Sequence, residues 1–428
     1  MKKLNLDKNI YITILIIMIA IPVLKFLMYI PAINNISPYH IRRIRVYFFW
    51  ITIFMTLFVY LFSVLSKERK ITYIDYLFYF LIFSLFVSSS FAIDFNKSIF
   101  GENARYEGLL TLINYYLLAL NAKNIESEEY KKKLIKCFIY LGIIQSFYAM
   151  YQALTPFKFL NNKFSGGAHM AMGLCGNPNF FGAYMAMQLS LPTIFYIKKG
   201  EKKYLFLFIL FSKGLYLASS SGPMLGYVLS FILISIIFRK QYKKIIILIL
   251  AFFTVCFGTD KLIKYVHVEK LNNFVPATNI ISSDIVDTVN KIQKNEVDSL
   301  GNNRLGLWKK SLPLVGEYWL TGCGLDNYKE VAPKHINLTY DKAHNVYLQM
   351  AITNGLIPTL VYMFICLIIF LKGFKLKKDE SCALFMAFVS YCILAFANIS
   401  VIDVAPYFFI IIGLLISYSN DIKIFKKL

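Results

Sequence analysis

Apolar residues in this chain fall in long continuous runs, separated by shorter polar segments rich in Lys, Asn and Ser. The runs lack the alternation of a half-buried strand and exceed the one-sided stripe of a surface helix. Crossing a bilayer takes about 20 apolar residues in a helix, and several runs reach that length. Twelve can be marked, at roughly 10–30, 46–65, 71–91, 109–121, 134–154, 178–197, 204–219, 222–238, 245–259, 344–371, 382–399 and 405–419. The fourth, seventh and last are short.

Composition sharpens this picture. Of 428 residues, 57% are hydrophobic and 17% aromatic. Only 16% are charged, against about 25% in an ordinary soluble domain. A soluble globule could not hide so much apolar surface, and neither disorder nor a collagen-like chain fits. The seven cysteines lie mostly in apolar runs without metal-ligand spacing, and read as small hydrophobes. Met1-Lys2-Lys3 precedes an apolar run with no small-residue cleavage site, so the expectation there is a retained anchor.

The net charge is +22. In a soluble protein this would suggest nucleic acid; here basic residues mark cytoplasmic loops instead, and no nucleic-acid partner is expected. With a cytoplasmic N-terminus, one set of alternate loops collects lysine clusters such as Lys131-Lys132-Lys133, Lys198-Lys199 and Lys377-Lys378. The short loops of the other set hold only Arg42, Arg43, Arg45, Lys97, Arg105, Lys158 and Lys163. The asymmetry predicts both termini inside a cytoplasmic membrane. The expected fold class is all-α: a polytopic membrane protein with about 12 transmembrane helices and one long extracytoplasmic, partly helical loop.

That loop, 260–343, separates helices one to nine (1–259) from helices ten to twelve and a tail (344–428). Ile285, Val289 and Ile292 at helical spacing, with Val286, predict an amphipathic helix over 282–297. A second helix is expected from Asn302 to Leu312, ending near Pro313, with a Gly322-Cys323-Gly324 turn after it.

Four polar clusters sit beside apolar runs on the expected outer face. Gly101-Glu102-Asn103-Ala104-Arg105-Tyr106-Glu107-Gly108 offers Arg105, either as an anion ligand or as an interface arginine. Gly173-Leu174-Cys175-Gly176-Asn177-Pro178-Asn179 opens a helix, as an ordinary cap or as an anion site on exposed N–H groups. Asn302-Asn303-Arg304-Leu305-Gly306-Leu307-Trp308 puts Arg304 and Trp308 on one helix face. A guanidinium there can grip a phosphate through two parallel bonds, or enter a loop salt bridge or a stack on the indole. Asp341-Lys342-Ala343-His344-Asn345 places His344 at a helix start, where the dipole favours a neutral ring able to accept a proton. Lys213 lies inside the seventh run, as a functional charge or as one reaching towards the membrane edge. No Walker loop, His-Glu-x-x-His, nucleotide fingerprint or external Asp-x-Asp occurs, so neither cofactor nor metal is expected.

Taken in order, these clusters resemble the O-antigen ligase/polymerase family of bacterial membrane glycosyltransferases. Gly176-Asn177-Pro178-Asn179, Arg304 with Trp308, Gly322-Cys323-Gly324-Leu325, and His344-Asn345 followed by Gly355 carry the resemblance, with Arg105-Tyr106-Glu107-Gly108. Two departures stand out. Pro358 follows Gly355 where a second glycine is expected, and Ser219-Ser220-Ser221-Gly222-Pro223 lacks an arginine to which the family assigns diphosphate binding. Lys213 or Arg105 is the candidate replacement.

The resemblance implies a metal-independent glycosyltransferase. Its donor would be a polyprenyl-diphosphate-linked glycan in the lipid bilayer, and its acceptor a glycan, a lipid core or a protein hydroxyl. His344 would act as general base, with Arg304 and Arg105 as diphosphate ligands. Arg105, Gly176, Asn177, Asn179, Trp308, Asn345 and Lys213 would shape the substrate site. A protein O-oligosaccharyltransferase of the same family is one alternative; a lipid-linked glycan flippase is another, for which membrane-embedded charges such as Lys213 and Lys25 are few.

Overall fold

The computed structural model describes the chain except Met1 and residues 28–37, 67–68, 70, 103–104, 155–170, 267–285, 288–289, 292, 294–299, 333–339 and 420–428. Sixteen α-helices and no strand occur among the described residues. The first six are α1 (Lys2–Leu27), α2 (Pro38–Leu65), α3 (Tyr73–Ser90), α4 (Phe95–Phe100), α5 (Leu109–Lys123) and α6 (Glu128–Leu154). Then come α7 (Pro178–Lys199), α8 (Lys202–Leu217), α9 (Ser221–Ile237), α10 (Tyr242–Val266) and α11 (Leu300–Glu317). The last are α12 (Tyr328–Val331), α13 (Val346–Thr353), α14 (Leu356–Gly373), α15 (Asp379–Leu394) and α16 (Ala405–Ser419).

Among the described residues, eight helices are long and apolar enough to cross a membrane. The chain is an all-α polytopic membrane protein. The runs at 109–121, 204–219, 222–238 and 405–419 form the shorter helices α5, α8, α9 and α16, of 15 to 17 residues.

Three details differ from the sequence expectation. The run at 344–371 is not one helix but α13 and α14, divided at Asn354-Gly355. Helix α11 does not stop near Pro313 but continues to Glu317. A proline removes one backbone donor, and Lys309 and Lys310, one turn before it, are exposed, so the freed carbonyl can meet water. Most of the helix expected over 282–297 lies outside the described residues; Val286, Asp287, Asn290, Lys291 and Gln293 are helical.

Helix α7 is the hub. Asn177 caps it, Pro178 occupies its first turn, and Gly200 ends it in the left-handed region with φ 74°. Its membrane-length window is wholly buried, packed by α8, α9 and α15. Helices α2 and α10 lie at the margin, each 28% buried over its window. Phe54 and Phe58 on α2 are among the most exposed aromatics, a surface suited to lipid tails.

Helix α5 is short, yet nearly all its residues are buried. Polar side chains join it to α2. Asn114 Nδ2 donates to the Phe49 carbonyl and to Thr52 Oγ1, both at 2.8 Å. Asn121 Nδ2 donates to the Thr56 carbonyl at 2.9 Å, and Trp50 Nε1 to Thr111 Oγ1 at 3.0 Å. Without a solvent-driven force between helices in lipid, such bonds and close backbone approach hold neighbours together.

Opposite α2, α5 meets α16 at Gly413. A Cβ there would lie 2.2 Å from the Ala119 carbonyl oxygen, which backbone cannot yield. Gly413→Val should therefore separate α5 from α16 and cost about 1–3 kcal/mol. Thermal unfolding of the detergent-solubilised protein checks this; an unchanged midpoint would contradict the close packing.

Candidate active site

The break between α13 and α14 organises one end of the bundle. Gly355 takes φ 99°, and Leu356 N donates to the Trp319 carbonyl at 2.7 Å. The Gly322-Cys323-Gly324 turn lies against this break. Cys323 N reaches the Ile352 carbonyl at 2.9 Å and Gly324 N the Thr353 carbonyl at 3.2 Å. A Cβ on Gly322 would stand 2.2 Å from the Thr353 oxygen, so only glycine fits. The helix end thus finds backbone partners in a loop rather than in lipid.

Next to the turn sits a buried ionic cluster that joins three distant segments. Lys342 Nζ lies 2.5 Å from Asp326 Oδ1 and 3.5 Å from Glu107 Oε2. Asp326 Oδ2 also accepts from Glu102 N at 2.7 Å. Tyr115 donates to Glu107 Oε1 at 3.3 Å. All three charged residues are 4–5% exposed. Burial pushes the Glu107 carboxyl above its ordinary range, against the pull of the Lys342 ammonium and aided by Asp326. Burial works to lower the Lys342 pKa, but the Asp326 and Glu107 carboxylates outweigh it and the net shift is upward. The ammonium therefore remains charged, as two carboxylates facing each other require.

This cluster sets down the residues on either side of it. Arg105 Nε and Nη2 both reach Asp341 Oδ2, at 3.0 and 2.9 Å, and its guanidinium lies 5.6 Å from the Phe180 ring centre. The Ala343 peptide is held from both sides: its N–H donates to Gln349 Oε1 at 2.7 Å, and its carbonyl accepts from Trp308 Nε1 at 2.9 Å. His344 follows with φ 50°, a conformation unusual for a residue with a side chain. Asn345 then caps α13, its Oδ1 accepting from Tyr347 N and Leu348 N.

The imidazole is half-buried, with the Tyr340 ring edge-on at 6.4 Å. Its pKa falls from 6.5 to about 4. Burial is the main cause, then the charge of Arg304; Asp341 opposes, while Arg105 and Lys342 add to the depression. Arg304 donates through Nη1 to the Ala397 carbonyl at 2.6 Å. Its remaining N–H groups have no partner among the described residues. Arg304 and Trp308, four residues apart on α11, thus bind two separate chain segments.

The Gly176–Asn179 segment borders the same region. Asn177 Oδ1 accepts from Asn179 N at 2.8 Å, and Gly176 turns the chain with φ 74°. Asn179 Oδ1 accepts from Ser220 Oγ, and its carbonyl accepts from Asn398 Nδ2 at 3.4 Å. The side-chain oxygens of Asn177 and Asn179 are thus both occupied within the protein. Lys213 stands apart: it is half-buried on α8, and no hydrogen bond or ion pair joins it to this group among the described residues.

Sequence reasoning singled out neither Glu107, Asp326 and Gln349 nor the pairing of Lys25 and Arg45 with Asp403. Each lies in an ordinary-looking loop or helix end and acquires its role from partners far along the chain. For Asp326, the one local signal was its place two residues after the Gly-x-Gly turn.

Two hollows adjoin the group. One, about 90 Å³, lies beneath Glu107, Lys342, Gln349 and Asn354 and has room for a few water molecules. Gln349 Nε2 and Asn354 Oδ1 are buried beside it without a protein partner among the described residues. The other is an apolar groove of about 660 Å³ between α9, α14 and α15, headed by Tyr347 and Phe396. Phe396 precedes Ala397, the residue that Arg304 holds, so this groove runs up to the His344 group.

Lys342→Met would leave two buried carboxylates without their cation. Breaking such a cluster costs about 3–5 kcal/mol. A large drop in the unfolding midpoint, partly restored by adding Glu107→Gln, is the expected outcome; a midpoint like wild type would mean that the cluster is not what joins the loops.

Residues 206–363, which contain Lys213, Arg304, Trp308, His344 and Asn345, match the family described as O-Antigen ligase. The chain is also similar to an uncharacterized protein of Haemophilus influenzae, 26% identical over 319 residues that cover 71% of this chain and 72% of the relative. Over residues 206–363, then, this all-helical membrane protein is O-antigen ligase-like.

Proposed function

We propose that the protein transfers a glycan from a polyprenyl-diphosphate lipid to an acceptor hydroxyl at the extracytoplasmic face of the bacterial cytoplasmic membrane, with both termini on the cytoplasmic side. The coarser part of this reading, a membrane glycan transfer of the O-antigen ligase type, rests on the family match. The finer part rests on one observation. Arg304, Arg105 and His344 gather at one end of the bundle, at the head of an apolar groove.

The chemistry follows from that arrangement. The acceptor oxygen attacks the anomeric carbon, the bond from that carbon to the phosphate oxygen breaks, and the lipid diphosphate leaves with the electron pair. The acceptor proton passes to His344 and then to water. Diphosphate is already a good leaving group, so charge neutralisation matters more than protonation. Arg304 offers N–H groups without a partner among the described residues for this purpose, while Arg105 would share its fork between Asp341 and phosphate. The groove below suits the lipid tail.

The depressed pKa of His344 suits a resting site rather than a working base. The ring is neutral at neutral pH, but a base of such low pKa accepts a proton weakly. The diphosphate would bring negative charge beside Arg304 and Arg105, offset two of the forces holding the pKa down, and strengthen the base only when donor is bound. Trp308 and Gln349 would fix the ring through the Ala343 peptide.

Two outcomes test this reading. His344→Ala should lower transfer by about 10²–10⁴-fold at unchanged protein level, measured with purified protein, polyprenyl-diphosphate glycan and acceptor. Wild-type turnover by that variant would remove the base assignment. The pH profile of kcat/KM should show an acid limb, falling as pH drops through the pKa of the ring in the free protein. Arg304→Gln removes a cation that depresses that pKa, so the limb should move to higher pH as the rate falls. A limb that stays in place would separate Arg304 from the imidazole.

A further inference from the structure

The other end of the bundle carries a second site. Helix α7 has 22 residues from Asn177's neighbour to Lys199, so its two ends stand about 33 Å apart. Where it finishes, a hollow of about 330 Å³ opens between α6, α7 and α8. Its rim carries Lys132, Lys136, Lys199 and Lys203, and its wall is the apolar face of Ile139, Ile143 and Leu207.

Three features mark it as built for a negative head on a greasy body. First, four lysines share the rim with one carboxylate, Glu380; Lys199 also reaches Asp379 at 3.6 Å and Lys203 pairs with Glu201 at 2.5 Å. Lys136 is exposed and has no partner among the described residues, and Lys132 meets Glu380 only at 3.7 Å. Second, α8 starts here with Glu201 as its N-cap residue, paired with Lys203, and with Lys202 and Lys203 in its first turn, while no side chain caps its N–H groups. Lysines at a helix N-terminus oppose the dipole, an arrangement that an anion would relieve. Third, an apolar wall continues from the lysine rim along α6 and α8 towards the middle of these helices, the depth at which acyl chains lie. A free phosphate has no use for that wall.

We propose that this hollow binds an anionic phospholipid, with its phosphate among Lys136, Lys199 and Lys203 and an acyl chain along Ile139, Ile143 and Leu207. Basic pockets between membrane helices are suited to such head groups, and the site lies a full helix length from His344. The inference does not depend on the transfer reaction.

Native mass spectrometry of the full-length protein in detergent tests it, with phosphatidylglycerol and phosphatidylcholine of identical chains as probes. Wild-type protein should retain phosphatidylglycerol in clear preference. Lys136→Gln with Lys203→Gln should weaken that retention by about five-fold for each lysine neutralised. Lys243→Gln with Lys375→Gln, exposed at the same end but outside the hollow, should leave it unchanged. Equal retention of the two lipids would overturn the proposal, as would equal loss in both double variants or no loss in the first. Displacement of the bound lipid by inorganic phosphate alone would also overturn it, because the wall would then contribute nothing.

Discussion

One buried ammonium between two carboxylates determines where the rest of the candidate site lies. Glu107 stands two residues before α5, Asp326 follows the Gly-x-Gly turn and Lys342 stands two residues before His344. In a low-dielectric interior none of the three charges can be left alone, so the three chain segments must meet. Arg105 and Ala343 lie two residues or fewer from members of this cluster, and their positions follow from it. The hydrogen bonds of Trp308 and Gln349 then narrow the position of His344 further.

The same concentration of charge explains the state of the imidazole. Burial, two guanidinium groups and the Lys342 ammonium favour the neutral ring, and Asp341 works in the other direction. An anion bound beside Arg304 and Arg105 would offset part of that depression of the pKa, so under the proposed function base strength and donor occupancy would be coupled by simple electrostatics, with no moving part required.

The two ends of the bundle solve different problems. At the His344 end, Glu107, Asp326, Lys342, Gln349 and Asn354 line a small hollow, and an apolar groove lies near it. At the far end, lysines line a hollow with an apolar wall. Arginine gives a fixed planar fork suited to positioning a reacting group, whereas lysine offers a flexible, strongly hydrated point charge suited to holding a head group loosely. Helices α6, α7 and α8 connect the two ends.

The helices and their order were legible in the chain itself, because a membrane segment must satisfy its backbone internally and so announces itself by length and apolarity alone. The cap at Asn177, the turn at Gly322–Gly324 and the gathering of Arg304, Trp308 and His344 into one region were readable for similar local or motif-based reasons. Tertiary structure decided the rest. Arg105 is paired with Asp341, 236 positions away, and Lys342 joins Glu107 across 235. No local pattern encodes such partners. The helix break at Asn354-Gly355 was hidden within a continuous apolar run, since its hydrogen-bond partner is the distant Trp319 carbonyl. Lys213, already distinct in sequence as a charge inside an apolar run, is joined to the His344 group by no hydrogen bond or ion pair among the described residues, which only packing could decide. Composition determines that this chain enters a membrane as helices; long-range charge pairing, invisible one residue at a time, determines which of its polar groups share a pocket.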